Sequence, residues 1–158
     1  LEAELFNSVA GVKMEHIPYK GSAPALTDMI GGQLQVMFDA YASSGPFIKD
    51  GRVRLLAVTT AQRSKSLPDT PTVSESGLPG YEAMPWLGVV APAGTPAPVV
   101  NKLYAELHEV LKEPEVQEKF RSLGLDIIGS KPDEFSAFLK KDIVKWAKVI
   151  KDSGAKAD

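Results

Sequence analysis

The apolar residues of this chain follow two patterns, helical spacing and short continuous runs, and the change from one to the other marks its elements. Leu1, Leu5, Phe6 and Val9 have helical spacing and Gly11 follows them, so this stretch predicts a helix that Gly11 ends. No capping residue precedes Leu1. We therefore expect the chain to begin inside a helix and to be a fragment of a longer protein.

Short apolar segments predict strands, and the first three of them are separated by short helical stretches. The runs Val36–Phe38 and Leu55–Val58 do not alternate with polar residues, which is typical of strands covered on both faces. Such strands, joined by helical crossovers, predict an α/β fold with a parallel sheet. The predicted strands are residues 12–19, 34–38, 53–59, 86–91 and 125–128.

A polar elbow joins the first predicted strand to the next helix. Ser22 or Ala23 stands where a helix N-cap belongs, and Pro24 fits the first helical turn because its missing N–H group would be unpaired there. The helix is expected to stop at the paired glycines 31–32. The unpaired N–H groups of Ser22, Ala23 and Ala25, together with the helix dipole, predict an anion site whose expected guest is a carboxylate.

Two charged residues are expected at the same edge of the sheet, where open parallel sheets bind ligands. Lys20 precedes Gly21, which allows close backbone approach, and Asp39 ends the second predicted strand. A buried acid needs a partner, such as backbone N–H groups, water or a ligand amine. Structural roles are the alternatives for the same residues. Ser22 could be an ordinary cap, Lys20 a solvated side chain and Asp39 the cap of the following turn.

The amino-acid composition of the chain changes after residue 60. Residues 61–85 are rich in proline and glycine, and Thr72 and Glu75 have the spacing of a capping box over one turn of helix. Farther on, capping residues and apolar faces predict three helices. They are expected to run from Thr95 to Leu111, from Pro114 to Leu123 and from Ser130 to Gly154.

This division predicts two lobes. Residues 1–84 form one α/β lobe whose start is truncated, and residues 85–158 complete part of the other. Because the second part has too few strands for its amphipathic helices to pack on, we expect the missing N-terminal half to supply the sheet.

Composition excludes several classes of function. The net charge of −2 offers no field that would recruit nucleic acid or an anionic membrane, and no apolar run approaches the ~20 residues that a membrane-inserted helix needs. With no cysteine, the chain has no disulfide, thiolate site or cysteine nucleophile. His16 and His108 lack a second ligand at metal spacing, and no nucleotide or hydrolase motif occurs, so we expect neither a metal nor a cofactor.

Several consecutive motifs resemble one family. They are PYKG with the following PAL helix, a strand ending in aspartate, an arginine after LAVT, LPDTPTVSESG and APAGTP, in that order. Together they resemble the substrate-binding proteins of tripartite tricarboxylate transporters, the Bug family, which includes the tricarboxylate-binding component TctC. The resemblance covers essentially the whole chain.

The resemblance implies a type II periplasmic-binding-protein fold of the Venus flytrap kind, with this chain as its C-terminal portion. It implies a non-catalytic periplasmic receptor that closes around a small organic carboxylate, such as a di- or tricarboxylate, an acidic amino acid or an aromatic acid. The receptor would deliver this ligand to the membrane permease subunits of the transporter. Carried over by the motifs, the ligand-facing residues are Tyr19, Lys20, Gly21, Ser22, Ala23, Pro24 and Asp39.

Two other classes of function stay open at this point. Asp39 and His16 could act as acid and base in a small-molecule hydrolase or lyase, although no nucleophile motif accompanies them. The proline- and glycine-rich segment from Ser66 to Tyr81 could instead belong to a protein-interaction domain.

Overall fold

The computed structural model describes residues 1–155, so the last three residues of the predicted second lobe lie outside the described part of the chain. Within that part the chain forms six helices, each close to a helix that the sequence predicts. They are α1 (Glu2–Ala10), α2 (Ser22–Ile30), α3 (Tyr41–Lys49), α4 (Ala97–Val110), α5 (Pro114–Ser122) and α6 (Pro132–Ser153).

The predicted strands do not pair into a sheet among residues 1–155. These residues contain a single isolated parallel bridge, between Val58 and Thr72, in which the Val58 N–H donates to Pro71 and the Val73 N–H donates to Val58. A strand exists only where a neighbour completes its hydrogen bonds, and the other apolar runs have no such neighbour here. Several of their side chains stay in solvent, with Leu87 85% exposed and Val90 74% exposed.

The described chain divides into two compact units. The first, called here the elbow unit, contains Glu2–Met84 and Ser122–Leu125. The second, called the helical unit, contains Leu1, Pro85–Arg121 and the residues from Asp126 onward.

Aromatic rings and the buried side of α2 form the core of the elbow unit. Phe6 of α1 packs against Phe38 and Tyr81, with ring centroids 5.8 and 5.9 Å apart. Tyr81 is almost fully buried and donates a hydrogen bond of 3.1 Å to the carbonyl of Glu2, and its burial raises the pKa of the phenol far above the usual value. Ala25 and Leu26 are buried on α2, so this helix is anchored by apolar packing.

The predicted capping box of the proline- and glycine-rich segment is confirmed, although its residues form a turn and not a helix. The Thr72 N–H donates to the Glu75 carboxylate at 2.8 Å, and the Glu75 N–H donates to the Thr72 hydroxyl at 3.0 Å. Arg63 adds an ion pair to Glu75 at 2.9 Å and donates to the carbonyl of Pro68. These bonds fix the segment's shape without regular secondary structure.

The helical unit has an aromatic centre. The indole of Trp86 meets Phe135 and Phe138 edge-on, at centroid distances of 5.3 and 5.9 Å, and its N–H donates to Asp142 at 2.9 Å. Gly88 lies against the Phe135 ring so closely that a Cβ there would be 2.4 Å from Cζ. The apolar face of α4 remains exposed in this unit, in keeping with the unpaired strand segments.

Candidate ligand-binding site

Gly21 is the N-cap of α2, so the expectation that Ser22 or Ala23 is the N-cap is wrong. Gly21 has φ 97° and ψ 179°, a conformation that residues with a Cβ rarely adopt, and no side chain caps the helix. A Cβ at Gly21 would meet nothing within 4 Å. The glycine is therefore required by the backbone angle, and the space in front of it is open.

The start of α2 offers backbone donors. The N–H groups of Ser22 and Ala23 make no hydrogen bond to the described part of the chain, as expected for the first turn of a helix. Ala25, the third donor that the sequence suggests, is buried, at 5% exposure. The accessible donors are therefore those of Ser22 and Ala23, where the helix dipole also favours an anion.

The hydroxyl of Ser22 is used inside the protein. It donates a hydrogen bond of 2.5 Å to Oδ1 of Asp39, which replaces the cap that the sequence suggested for Ser22. A hydroxyl bonded to a carboxylate makes a stronger bond than one bonded to a neutral amide, which explains this preference. Ser22 and Asp39, 17 residues apart, are thereby brought together.

Asp39 does not cap the helix that follows it. The N-cap of α3 is Ala40, without a side-chain cap, and the N–H groups of Ser43 and Ser44 bond to the carbonyl of Ala40. The Oδ2 atom of Asp39 is buried and has no hydrogen-bond partner among the described residues. Asp39 therefore braces α2 through one oxygen and leaves the other unsatisfied.

Tyr19 also makes a bond that the sequence did not suggest. Its hydroxyl donates to Oδ2 of Asp28 at 2.7 Å, and this hydrogen bond raises the pKa of Tyr19 above its usual value of 10. An acid on a short helix would ordinarily face solvent. Helical spacing could have identified the contact. Asp28 is seven residues after Gly21, so it lies two turns along the same face of α2, and helical side chains lean toward the N-terminus, where Tyr19 precedes the helix.

The other predicted site residues point to open surroundings. Lys20, Ala23 and Pro24 are exposed, and Lys20 has no ion pair in the described chain. The elbow thus combines two accessible N–H groups, one exposed cation and two internal side-chain bonds. This arrangement can bind a carboxylate through the backbone N–H groups, and the charge of Lys20 adds an attraction that solvent screens.

A separate open groove of about 520 Å³ lies in the elbow unit. Tyr41, Arg54 and Leu67 are among its lining residues, and none of the predicted ligand-facing residues lines it. The groove and the elbow are therefore distinct features of this unit.

Two features of residues 1–155 bear on other functions. No group of three or more acidic or histidine side chains there could hold a metal ion. No helix within that range is both long and apolar enough to cross a membrane. His16 is exposed, and no hydrogen bond joins it to Asp39 in that range.

Two relatives cover nearly the whole chain. A UPF0065 protein from the tcbD-tcbE intergenic region of a Pseudomonas species is 38% identical over 151 residues, which are 95% of this chain and 45% of the relative. BugT of Bordetella pertussis is 35% identical over 156 residues, 99% of this chain and 48% of its own length. The chain therefore spans about half the length of these relatives.

Solved structures show the same fold over half their length. The protein Rpa4515 of R. palustris, solved with adipate, has a TM-score of 0.83 and 37% identity over 97% of this chain and 51% of its own. The periplasmic binding protein BugD has a TM-score of 0.79 and 36% identity, covering 99% and 53%. MatC of Rhodopseudomonas palustris, solved with bound malate, has a TM-score of 0.73 and 29% identity, covering 94% and 52%.

The fold of the described residues is thus that of about half of a TctC- or Bug-type periplasmic binding protein. Residues 1–155 also match the family described as tripartite tricarboxylate transporter family receptor, TctC. The family suggested by the PYKG, LPDTPTVSESG and APAGTP motifs is confirmed. This chain belongs to the tripartite tricarboxylate transporter receptor family.

Proposed function

We propose that this chain is the C-terminal portion of a solute receptor that captures a small carboxylated metabolite for a tripartite tricarboxylate transporter. The observation that carries the proposal is the start of α2, where the accessible N–H groups of Ser22 and Ala23 lie beside the exposed Lys20. Carboxylates are the molecules present in two related solved structures, with adipate in one and malate in the other.

The chemistry at the elbow is binding without reaction. The two N–H groups donate to one carboxylate, the helix dipole adds about 0.3–1 kcal/mol, and Lys20 contributes a screened attraction. Backbone donors are held in place before the ligand arrives, so the ligand loses its water in exchange for preformed hydrogen bonds. The elbow alone binds a carboxylate weakly. The other end of the ligand requires contacts from the rest of the protein.

The proposal includes a two-lobed Venus flytrap fold. Residues 1–84 belong to one lobe and residues 85–158 to the other, and preceding parts of a longer polypeptide supply strands that pair with the apolar segments. The exposed side chains of Leu87, Val89 and Val90 and the exposed apolar face of α4 support this arrangement, because a lone soluble domain rarely leaves such segments in water. Closure of the lobes would exclude water from the bound carboxylate.

The family carries two further proposals. Receptors of this family work in the periplasm, so we place the full-length protein there. Its macromolecular partners are the permease subunits of the transporter, which receive the ligand from the closed receptor. No part of the proposal requires nucleic acid, a cofactor or insertion of the receptor into the membrane.

A thermal-shift screen of the full-length protein against di- and tricarboxylates, acidic amino acids and aromatic acids tests this function. A receptor gains several degrees in melting temperature with one class of acid, because ligand that binds only the folded state stabilises it. The matched uncharged amides serve as controls and give no shift. Recovery of each hit unchanged after incubation supports a receptor, whereas turnover of a hit supports the hydrolase or lyase considered from the sequence.

The protein-interaction alternative lacks a specific observation in its favour. Within the segment from Ser66 to Tyr81, the side chains of Thr72 and Glu75 are used in internal bonds and Tyr81 is buried in the core. Their polar groups and ring are therefore occupied by the fold itself.

A further inference from the structure

The bond between Tyr19 and Asp28 spans the elbow. Tyr19 lies two residues before Gly21, and Asp28 lies on α2, so their hydrogen bond of 2.7 Å closes a loop that contains the donors Ser22 and Ala23. On the other side, the bond between Ser22 and Asp39 ties the first residue of α2 to the segment before α3. The helix start is thus held from two directions.

Gly21 lies between the two residues, Tyr19 and Ser22, that donate these hydrogen bonds. Glycine has more backbone freedom than any other residue, and Gly21 has an open space around it that no side chain fills. No packing against a side chain therefore restrains Gly21 at this position. The bond made by Tyr19, two residues before Gly21, restrains the chain on the N-terminal side of the elbow.

The same bond contributes little to keeping α2 folded. Tyr19 and Asp28 are half-buried, whereas Ala25 and Leu26 anchor the helix in the apolar core at 5% and 4% exposure. Losing one partly exposed hydrogen bond leaves that packing in place. A tyrosine hydroxyl is protonated at neutral pH and can donate, and the bond to Asp28 raises the pKa of Tyr19 further above its usual value.

We propose that Asp28 is a positioning residue for the carboxylate site. Through Tyr19 it fixes the elbow so that the N–H groups of Ser22 and Ala23 point together at the ligand. This role rests on the proposed function, since it describes how the same site is held in shape. Asp28 acts as a hydrogen-bond acceptor in this role, and its negative charge is not required.

The acceptor role predicts how four variants of the full-length protein behave. Isothermal titration with the best acid of the thermal-shift screen should show binding about five- to tenfold weaker in Tyr19→Phe and in Asp28→Ala, because each removes one hydrogen bond. Asp28→Asn keeps an acceptor oxygen for Tyr19 and restores affinity to within about twofold of wild type. The double variant Tyr19→Phe/Asp28→Ala is no weaker than either single variant, because both changes break one bond.

Tyr41→Phe is the matched control, since Tyr41 is also a half-buried tyrosine of the elbow unit and its hydroxyl makes no bond to the described chain. Its affinity should equal that of the wild type. Wild-type affinity in Tyr19→Phe, additive losses in the double variant, or an Asp28→Asn as weak as Asp28→Ala would each overturn the positioning role.

A measurement without ligand separates this inference from the proposed function. Backbone ¹⁵N relaxation of the unliganded protein should show lower order parameters at Gly21 and Ser22 in Tyr19→Phe and Asp28→Ala, and wild-type values in Asp28→Asn. If the wild type binds no acid, the proposed function fails. The order parameters still test the positioning role in that case, because they are measured without ligand. Unchanged order parameters in both damaging variants would overturn the inference even if the wild type binds an acid tightly.

Discussion

The Ser22 hydroxyl donates a hydrogen bond of 2.5 Å to Oδ1 of Asp39, whose other oxygen is buried without a partner in the described chain. Ser22→Ala would leave both carboxylate oxygens unsatisfied. We expect it to lower the free energy of unfolding of the full-length protein by about 1–3 kcal/mol, the usual cost of an unpaired buried acceptor. Urea denaturation measures the change.

Asp39→Asn provides the comparison for that variant. Asparagine at position 39 removes the buried charge, so combining Asp39→Asn with Ser22→Ala should cost less than Ser22→Ala does alone. Equal stability of Ser22→Ala and wild type would show that the Ser22 bond contributes nothing.

The turn between Thr72 and Glu75 should loosen in acid. The bond from the Thr72 N–H, followed by the bond from Arg63, lowers the pKa of Glu75 below its usual value of 4.5. A lowered pKa means that the stabilisation is complete above pH 4.5 and is lost as the pH falls through the Glu75 pKa of the folded protein. Urea midpoints measured between pH 7 and pH 3 should therefore fall more steeply for wild type than for Glu75→Gln. Parallel curves would contradict this assignment.

Gly88 should tolerate no side chain. A Cβ there would lie 2.4 Å from Cζ of Phe135, so Gly88→Ala forces the ring away from Trp86 and should cost about 1–3 kcal/mol of stability. Gly31→Ala is the matched control, because its Cβ would make ordinary contacts at 3.4 and 3.6 Å. The smaller side chain of Phe135→Leu should recover part of the loss in a double variant. Circular dichroism melts compare the variants, and a Gly88→Ala as stable as Gly31→Ala would count against the packing described.

The exposed Lys20 should tune affinity without determining it. Lys20→Met should weaken carboxylate binding about two- to fivefold in low salt, as expected for a solvated charge near an anion. The difference between variant and wild type should shrink at 0.5 M salt, where the Debye length is only a few ångströms. A loss that is large and independent of salt would indicate a direct, desolvated ion pair instead.

The helices of this protein follow from local signals, and its strands do not. Apolar spacing and the stops at Gly11 and Gly154 locate α1 and α6 because they act within one helix. Strands depend on partners distant in the chain, and Leu87 and Val90 have no such partner among residues 1–155. The apolar pattern predicted which segments have strand character, but it could not show which other segment would pair with each of them.

The elbow shows the same limit on a smaller scale. The motif places Ser22 and Asp39 near one sheet edge, yet it could not reveal that their side chains bond to each other. Gly21, and not Ser22, is the N-cap because the choice depends on a backbone angle and on a distant carboxylate. Asp28 was missed because an acid on a short helix is most often solvated, although its two-turn spacing from Gly21 was visible.

The central claim, that backbone donors of α2 hold a carboxylate, can be tested at Ser22 itself. Ser22→Ala and Ser22→Pro both remove the hydroxyl that bonds to Asp39, and only proline also removes the N–H group. Proline fits this position because Ser22 is the first residue of the helix.

The decisive measurement is the affinity of the two full-length variants for the acid found by the thermal-shift screen, measured by isothermal titration. We predict that Ser22→Pro binds about tenfold or more weakly than Ser22→Ala, as expected for losing one charge-assisted hydrogen bond, while the two melt within a few degrees of each other. Equal affinities in two folded variants would contradict the account, because the Ser22 N–H would then play no part in holding the ligand.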